Sequence, residues 1–286
     1  MKIGILTCDK CPALAPRDQH LIPLFDEQKI QTDNLIWNDP KVDWNAYDGL
    51  IFRSVWDYHL LPQQFDAWLN FMEAKNIPTL NPIPVIRNNQ HKFYLRQLQQ
   101  QGVTIVPTLF IDKTQNLDLS AITERNWQQA VIKPAISASS YLTTMFNAAE
   151  AHQIEDRYRS IATERDLLLQ PFMPEIIANG EISLIFFNRK YSHAVTKSAD
   201  EGDFRVQAEF GGRHEAIHPA KNMIEAAEYI LSLIPGALLY ARVDGIIQNN
   251  QFMLMELELI EPDLYFDADP LASQRYVEGV IELLRH

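Results

Sequence analysis

The chain has 286 residues, with 37 Asp and Glu against 25 Lys and Arg and a formal net charge of −12. This charge argues against nonspecific binding of nucleic acid or of an anionic membrane, because both need clustered basic residues. No stretch approaches the roughly 20 apolar residues that span a bilayer, and the short apolar run after the first two residues is typical of a strand rather than a signal peptide. We therefore expect a globular cytoplasmic protein with a small-molecule partner and neither a nucleic-acid nor a membrane partner.

Strand and helix patterns alternate in the first part of the chain, which predicts an α/β lobe with a parallel sheet over residues 1–87. Helical periodicity marks residues 63–75, and two prolines within 76–83 end that helix. Short apolar runs predict three strands, at residues 3–7, 28–37 and 47–54.

The middle of the chain predicts a second lobe over residues 88–169. A helix is expected at 89–101, with Gly102 in the position that commonly ends a helix. The other elements expected in this lobe are strands at 103–111 and 130–133 and a helix at 148–163.

The remaining residues, 170–286, predict a third lobe of the α+β type. Asn249 and Asn250 are expected to form a hairpin turn between its last two strands. One strand is expected at 167–171, across the start of this lobe. Further strands are expected at 182–187, 190–196, 204–210, 241–248 and 252–259, and helices at 220–233 and 270–284.

Three carboxylates lie on the last two predicted strands. Glu256 and Glu258 are two residues apart and project from one face, next to Asp244 on the neighbouring strand. Carboxylates crowded on one face repel each other unless a cation lies between them, and Mg²⁺ prefers such oxygen ligands. The alternative is an acidic face in contact with water. The other face is expected to be apolar and to consist of Met253, Met255, Leu257 and Leu259.

A second group of candidate site residues is basic and comprises Lys92, Lys133, Lys197, Arg205 and Arg242. Lys133 ends the apolar strand AVIKP and precedes the small-residue segment SASS at 137–140. A strand lysine that faces such a loop can hold phosphate oxygens, while backbone N–H groups of the loop cover them. The phosphate-loop motif GxxxxGK[ST] does not occur in the chain. The alternative for each lysine is an ordinary surface position.

The segment FRSVWDYH follows the third predicted strand and supplies candidate substrate-binding residues. Ligands of open α/β sheets gather at the carboxyl ends of the strands. Arg53 is suited to a substrate carboxylate and Asp57 to an amine, with Tyr58 beside them. The alternative is an Arg–Asp pair on the surface.

The chain has two cysteines, Cys8 and Cys11, at the end of the first predicted strand. So few cysteines exclude a disulfide-stapled secreted scaffold and favour a reducing compartment. The spacing suits a redox pair or half of a zinc site, and the alternative is a loop at the strand end near the substrate.

The order of these motifs along the chain resembles that of ATP-grasp enzymes. The segment GDFR…GG is similar to the glutathione synthetase and ribosomal-protein glutamate ligase branch, and the combination of RSVWDY, GEISLIFF, HAVTK and ELELIEPDLYF resembles the O-ureidoserine cyclo-ligase of cycloserine biosynthesis. The other matching segments are VIKPAISASS, LLLQPF, ARVDG and MELELIEP. The resemblance implies an ATP-grasp fold with α/β and α+β parts, preceded by a parallel-sheet lobe that binds the substrate.

The resemblance also implies a role for each matching residue. Lys92 and Lys133 would contact the ATP phosphates, and Ser137 and Ser139 would lie in the loop that covers them. The hinge that binds adenine would be formed by Gln170, Pro171, Phe172 and Met173, and Glu181 would hold the ribose hydroxyls. Lys197 and Arg205 would reach the phosphates or the acyl group, and Arg242 would stabilise the transition state. Asp244, Glu256 and Glu258 would bind two Mg²⁺ ions, with Mn²⁺ as a substitute. The family usually has Asn at the position of Glu258 and glycines in the covering loop, where this chain has Ala and Ser.

These roles together imply an ADP-forming ligase that makes a C–N bond. A carboxylate of an amino-acid-like small molecule would be phosphorylated and then attacked by an amine or related nucleophile, while the middle lobe closes as a lid. One alternative is an ATP-binding homologue that is non-catalytic or regulatory. Another is a redox or structural protein that uses Cys8 and Cys11. A homodimer is the base-rate expectation for the oligomeric state.

Overall fold

The computed structural model describes residues 1–200, 205 and 211–285. Three separate β-sheets organise these residues, and each sheet is built from one continuous region of the chain. The strand predicted at 204–210 lies outside the described residues, apart from Arg205. No described helix is both long enough and apolar enough to cross a membrane.

The first sheet is parallel, as the alternating pattern predicts, and has the order β2-β1-β3. Its strands are β1 (Lys2–Thr7), β2 (Gln31–Ile36) and β3 (Gly49–Ser54). Helix α1 (Leu21–Glu27) connects the first two strands, and α2 (Pro62–Ala74) follows the third. The β3 strand is buried along its whole length, which explains its continuous apolar run.

The helix predicted at 89–101 begins later than expected, at Tyr94, and a separate helix ends at Asn89. Helix α3 spans Ile83–Asn89 and α4 spans Tyr94–Gln100. Between them the backbone N–H of Lys92 donates to the carbonyl of Ala135, 2.8 Å away. This bond takes Lys92 out of the helical pattern and turns its side chain into the cavity described below. Gly102 has a φ of +88°, which confirms that a glycine ends α4.

The second sheet is antiparallel and has the order β4-β7-β5-β6. Its strands are β4 (Leu109–Ile111), β5 (Gln129–Pro134), β6 (Thr144–Asn147) and β7 (Leu167–Pro171), with helices α5 (Ala121–Glu124) and α6 (Ala151–Glu164). The strand predicted at 103–111 is reduced to its last three residues. The reason is that the first part bonds elsewhere: the N–H of Val106 donates to the carbonyl of Leu254 in the third region.

The third sheet is also antiparallel and has the order β10-β9-β8-β11-β12. Its strands are β8 (Glu181–Phe187), β9 (Lys190–Ser198), β10 (Arg213–Ile217), β11 (Tyr240–Gln248) and β12 (Gln251–Glu258). The helices are α7 (Glu175–Asn179), α8 (Lys221–Ser232) and α9 (Ala272–Leu284). Asn249 and Asn250 both have positive φ, 50° and 63°, which confirms the hairpin turn between β11 and β12.

A β-bulge changes the alternation of side chains on β12. Asp244 pairs with Glu256 while the next residue, Gly245, pairs with Leu254, so Met255 is the extra residue. The prediction of one apolar face is therefore wrong, because a bulge shifts side chains to the opposite face. Met253 and Met255 pack in a cluster with Val106, Met173, Ile176 and Ile246, whereas Leu254 joins Leu257 and Leu259 in the main core.

The C-terminal helix joins the first region to the third. Tyr276 of α9 is fully buried in a cluster that contains Ile3 and Ile51 of the first sheet and Phe187 and Tyr240 of the third. Burial of large aromatic and branched side chains is the main stabilising contribution here. The carboxyl end of β3 thereby lies at the same cavity as the polar side chains of β11 and β12.

Candidate active site

One cavity of about 570 Å³ is lined by residues from all three regions. All the residues that the sequence assigned to ATP, metal or substrate binding or to catalysis line it, except Asp57. The cavity has a mostly apolar end near β7, a charged middle at β8, β11 and β12, and a mixed end near β3.

The apolar end lies beside the end of β7. Phe172 and Met173 line it together with Val106, Val131 and Ile176. The amide of Gln170 donates to the Thr108 hydroxyl at 2.9 Å, and the backbone N–H of Phe172 donates to the carbonyl of Gln129. These bonds fix the segment Gln170–Pro171–Phe172–Met173 as one wall of an apolar slot. A flat heterocyclic ring is the type of ligand that such a slot accommodates.

Lys92 and Lys133 both line the cavity, but their surroundings differ. Lys92 donates to the carbonyl of Ser137 at 2.6 Å and pairs with Glu256 at 3.1 Å. Lys133 forms no ion pair with any residue that the structure describes. Burial lowers the pKa of Lys133, with the charge of Lys92 adding to the effect and that of Glu256 opposing it. An anionic ligand would therefore find an uncompensated cation here.

The loop after β5 brings Ser137 and Ser139 to the cavity wall. Ser139, Ser140 and Leu142 all have positive φ, between 48° and 56°. Such a conformation is costly for residues other than glycine and persists only where the surroundings impose it. The loop has no glycine, so its shape is set by contacts such as that between Lys92 and the carbonyl of Ser137.

A buried network of two acids and two bases occupies the middle of the cavity. Lys197 Nζ lies 2.7 Å from Glu181 and 3.3 Å from Asp244, and Arg242 Nη2 lies 2.9 Å from Asp244. Ser183 also donates to Asp244 at 2.6 Å. Burial disfavours the charged form of Asp244, but Arg242 and Lys197 outweigh this and lower its pKa to about 2. Burial raises the pKa of Glu181, against the opposing charge of Lys197.

The three predicted metal ligands are neighbours on β11 and β12. Asp244 lies opposite Glu256, and Arg242 lies opposite Glu258, with which its guanidinium is paired. Burial raises the pKa of Glu258 to about 7, with Asp244 and Glu256 adding to the effect and Arg242 opposing it. Burial also acts against the charge on Glu256, but Lys92 and Lys133 outweigh it and lower its pKa.

Each of these carboxylates is already matched with a basic side chain. In the part of the chain that the structure describes, no three His, Cys, Asp or Glu side chains converge in an arrangement that could hold a metal ion. The donor set nevertheless fits Mg²⁺, because it offers carboxylate oxygens on one cavity wall. Binding an ion would require Glu256 and Glu258 to exchange Lys92 and Arg242 for the metal.

Arg53 lies at the opposite end of the cavity, where it is 2% exposed. Its Nη2 and Nε donate to the two oxygens of Asp18 at 2.9 and 3.2 Å, and Nη2 also donates to the carbonyl of Pro262. Its Nη1 is buried and has no hydrogen-bond partner. The surface Arg–Asp pair considered from the sequence therefore does not form. Arg53 pairs with Asp18 instead, and both side chains are buried.

Tyr58 lines this end of the cavity, but Asp57 does not. The carboxylate of Asp57 accepts a hydrogen bond from Trp37 Nε1 at 2.7 Å in the interior of the first region. The expected amine-binding role of Asp57 has no support in this placement.

Several residues that line the cavity were not identified from the sequence: Arg17, Asp18, Glu261, Asp263 and Tyr265. Asp18 lies in a loop without any periodic pattern, so no local signal marks it. Glu261 extends the acidic run of ELELIE, and this run is a sequence signal for it.

Cys8 and Cys11 are both free thiols in a turn after β1, and neither lines the cavity. Burial raises the pKa of both thiols, with Asp57 adding to the effect on Cys8 and Asp18 on Cys11. Raised pKa values reduce the thiolate fraction that redox chemistry and metal binding need. The environment therefore favours the loop interpretation over a redox pair.

The fold and the cavity define the class of this protein, which has the ATP-grasp fold. The chain superposes over its full length on 97% of the D-alanine–D-alanine ligase from Bacillus anthracis, with a TM-score of 0.69 and 14% identity, and that enzyme has also been solved complexed with ATP. It superposes over 99% of its length on 98% of the ATP-grasp ligase PsnB complexed with minimal precursor, Mg and ADP, with a TM-score of 0.66 and 12% identity.

A more specific similarity is to cycloserine synthetase. Residues 3–81 match the family model of the N-terminal domain of D-cycloserine synthetase DcsG. The chain is 26% identical to the cycloserine biosynthesis protein DcsG of Streptomyces lavendulae, over 99% of this chain and all of that protein. The crystal structure of D-cycloserine synthetase DcsG superposes with a TM-score of 0.86 and 22% identity, over 99% of this chain and 100% of that chain. These similarities support an ATP-dependent ligase and agree with the resemblance noted from the sequence.

Proposed function

We propose that this protein is an ATP- and Mg²⁺-dependent ligase that activates a carboxylate as an acylphosphate and joins it to an amine or related nucleophile. The observation that supports this most strongly is the single cavity in which Lys92, Lys133, Lys197 and Arg242 face Asp244, Glu256 and Glu258. Its substrate would be an amino-acid-like small molecule held between the first and third regions.

The nucleotide would lie with its adenine in the slot formed by residues 170–173 and its phosphates toward Lys92 and Lys133. Lys133 supports this arrangement because its buried ammonium has no partner among the described residues. Glu181 at the base of β8 would hold the ribose hydroxyls, and Ser137 and Ser139 belong to the loop that would cover the phosphates.

Mg²⁺ would be held by Asp244, Glu256 and Glu258, and it would neutralise phosphate charge. Displacement of Lys92 and Arg242 by the metal would leave both cations free to contact the phosphates instead. Arg242 would then face the oxygens that gain charge in the transition state, and Lys197 and Arg205 would assist at the phosphates or the acyl group.

The proposed reaction has two steps, and the residues orient each of them. A carboxylate oxygen of the substrate attacks the γ-phosphorus, and ADP leaves. The nucleophile then attacks the acyl carbon, the C–N bond forms and phosphate leaves. Positioning and charge stabilisation are the protein's contribution, and exclusion of water protects the acylphosphate from hydrolysis.

The first substrate to test is O-ureidoserine, because this chain is similar over 99% of its length to a protein of cycloserine biosynthesis. ADP and phosphate release would be measured with ATP, Mg²⁺ and a panel of amino acids that includes O-ureidoserine, and formation of the product of ring closure would be followed in parallel.

The test compares wild type with Lys133→Ala and Glu256→Ala. We expect both variants to lose at least ~100-fold in kcat/KM, because each removes a charge that acts on the transferred phosphoryl group. Lys221→Ala and Glu225→Ala, which break an exposed pair on α8, are the matched controls. ADP release that neither site variant changes would overturn the proposal. Tight ATP binding without turnover on the whole panel would instead support a non-catalytic homologue.

A further inference from the structure

Glu261 differs from every other acidic residue in the wall of the cavity. Six acidic side chains there form ion pairs: Asp18 with Arg53, Glu181 and Asp244 with Lys197, Glu256 with Lys92, Glu258 with Arg242, and Asp263 with Arg17. Glu261 lines the same cavity but forms neither an ion pair nor a side-chain hydrogen bond with any residue that the structure describes.

The backbone on both sides of Glu261 is fixed by side chains of other elements. The hydroxyl of Tyr240 donates to the carbonyl of Ile260 at 2.7 Å, Trp56 Nε1 donates to the carbonyl of Glu261 at 3.4 Å, and Arg53 Nη2 donates to the carbonyl of Pro262 at 3.1 Å. Three consecutive carbonyls are thus anchored. The Glu261 carboxylate is therefore presented to the cavity from a fixed backbone rather than from a loose loop.

An unpaired carboxylate in this position is energetically unfavourable. Burial raises the pKa of Glu261 well above its usual range, and the charges of Glu258 and Glu256 add to the effect against the opposing Lys92. Glu261 is half-buried, and within the described residues the protein supplies no basic side chain to pair with its charge. A cationic group on a ligand would supply the missing partner.

Arg53 lies at the same end of the cavity but does not supply the missing charge. Its Nε and Nη2 are used by Asp18 and the carbonyl of Pro262. Its Nη1 is enclosed by protein, and the rings of Tyr240, Phe266 and Tyr276 lie 5.6 to 6.0 Å from the guanidinium carbon. The cation that compensates Glu261 therefore has to come from a ligand.

We propose that Glu261 binds the protonated amine of the substrate. This assignment rests on the proposed function, since it places the substrate of that reaction at this end of the cavity. Trp56 and Tyr58 line the same end, and aromatic faces attract organic ammonium groups. Glu261 thereby takes the role that the sequence suggested for Asp57, and it selects substrates that have a free amine.

The test compares two compounds that differ at the amine alone. We would measure kcat/KM for ADP release with O-ureidoserine and with its analogue in which a hydroxyl replaces the amine. We expect wild type to prefer the amine by about 10- to 100-fold, the range of a charge-assisted hydrogen bond. Glu261→Gln should abolish this preference, because it should lose activity only on the compound that carries the amine. Glu261→Asp should keep part of the preference. Glu215→Gln, an exposed control on β10, should keep all of it.

Three outcomes would overturn the assignment. The first is a wild type that does not discriminate between the compounds. The second is a Glu261→Gln variant that loses the same factor on both. The third is a variant whose only change is a higher Mg²⁺ requirement with both compounds, which would make Glu261 a metal ligand.

Failure of the proposed function gives a different result. If neither compound causes ADP release, the binding of both would be measured by calorimetry in wild type and in Glu261→Gln. Preferential binding of the amine that is lost in the variant would support the role of Glu261 without any ligase activity. Equal binding of the two compounds, or binding of neither, would overturn it.

Discussion

The ammonium group of Lys92 lies 3.1 Å from the carboxylate of Glu256, so a residue between two short helices is paired with one on the last strand. Lys92 also holds the carbonyl of Ser137 in the loop after β5. One side chain therefore connects the proposed metal-binding wall with the proposed phosphate-covering loop.

Lys92→Met should lower kcat/KM for ATP by about 100-fold, because it removes a phosphate-binding charge and a bond to the covering loop. Steady-state ADP release at varied ATP would measure this. Lys75→Met, at an exposed position after α2, is the control for loss of a lysine elsewhere. An unchanged kcat/KM in Lys92→Met would show that Lys92 has a structural role only.

Asp18→Asn should destabilise the protein by about 3–5 kcal/mol, because it leaves the buried Arg53 guanidinium without its counter-charge. Chemical denaturation would measure the free energy of unfolding. Asp26→Asn at an exposed position of α1 should change it by less than about 0.5 kcal/mol. A similar small effect at Asp18 would mean that Arg53 finds another partner.

Gly180→Ala should weaken ATP binding as well as stability. Gly180 has a φ of +77°, and an added Cβ would lie 2.5 Å from Thr196 Oγ1 and 2.7 Å from the carbonyl of Lys197. The clash would displace both Glu181 and Lys197. Gly102→Ala is the matched control, since Gly102 has a φ of +88° but its nearest neighbour atom is 3.9 Å away. Backbone strain costs about 1–3 kcal/mol in both variants. Only Gly180→Ala adds the clash near Glu181 and Lys197, so only this variant should change the Kd for ATP.

His59 should make the protein less stable in acid. Burial lowers the pKa of His59 to about 4, with Lys92 adding to the effect, against 6.5 for an unperturbed histidine. Below pH 6.5 the unfolded chain binds a proton that the folded chain does not, so stability falls as the pH drops from about 6.5 to 4. The contribution is on the order of 3 kcal/mol. In His59→Gln the fall in Tm over this range should be smaller by several degrees, and equal slopes would rule out His59 as its cause.

Replacement of the cysteines should leave catalysis intact. Cys8→Ser and Cys11→Ser should retain kcat/KM within about twofold, because neither thiol lines the cavity and both have raised pKa values. Activity assays with and without reductant would measure this. A loss of activity that tracks oxidation of the wild type would revive the redox interpretation.

The sequence by itself predicted the features that depend on short-range periodicity. Alternating apolar runs identified the parallel sheet of β1, β2 and β3, and the Asn249–Asn250 pair identified the last hairpin. The spacing of Glu256 and Glu258 placed both carboxylates on the cavity wall beside Asp244. These predictions succeed because backbone period and turn chemistry are local properties.

Only the tertiary structure decided which charges pair and where the regular elements stop. The helix predicted at 89–101 begins only at Tyr94, after Lys92 has bonded to Ala135, and the face of β12 changes because a bulge at Met255 shifts its register. Arg53 takes Asp18 rather than Asp57, and Glu261 stays unpaired in the described structure. Each of these outcomes depends on segments far apart in the chain, whose approach is set by packing rather than by any pattern in the neighbouring residues.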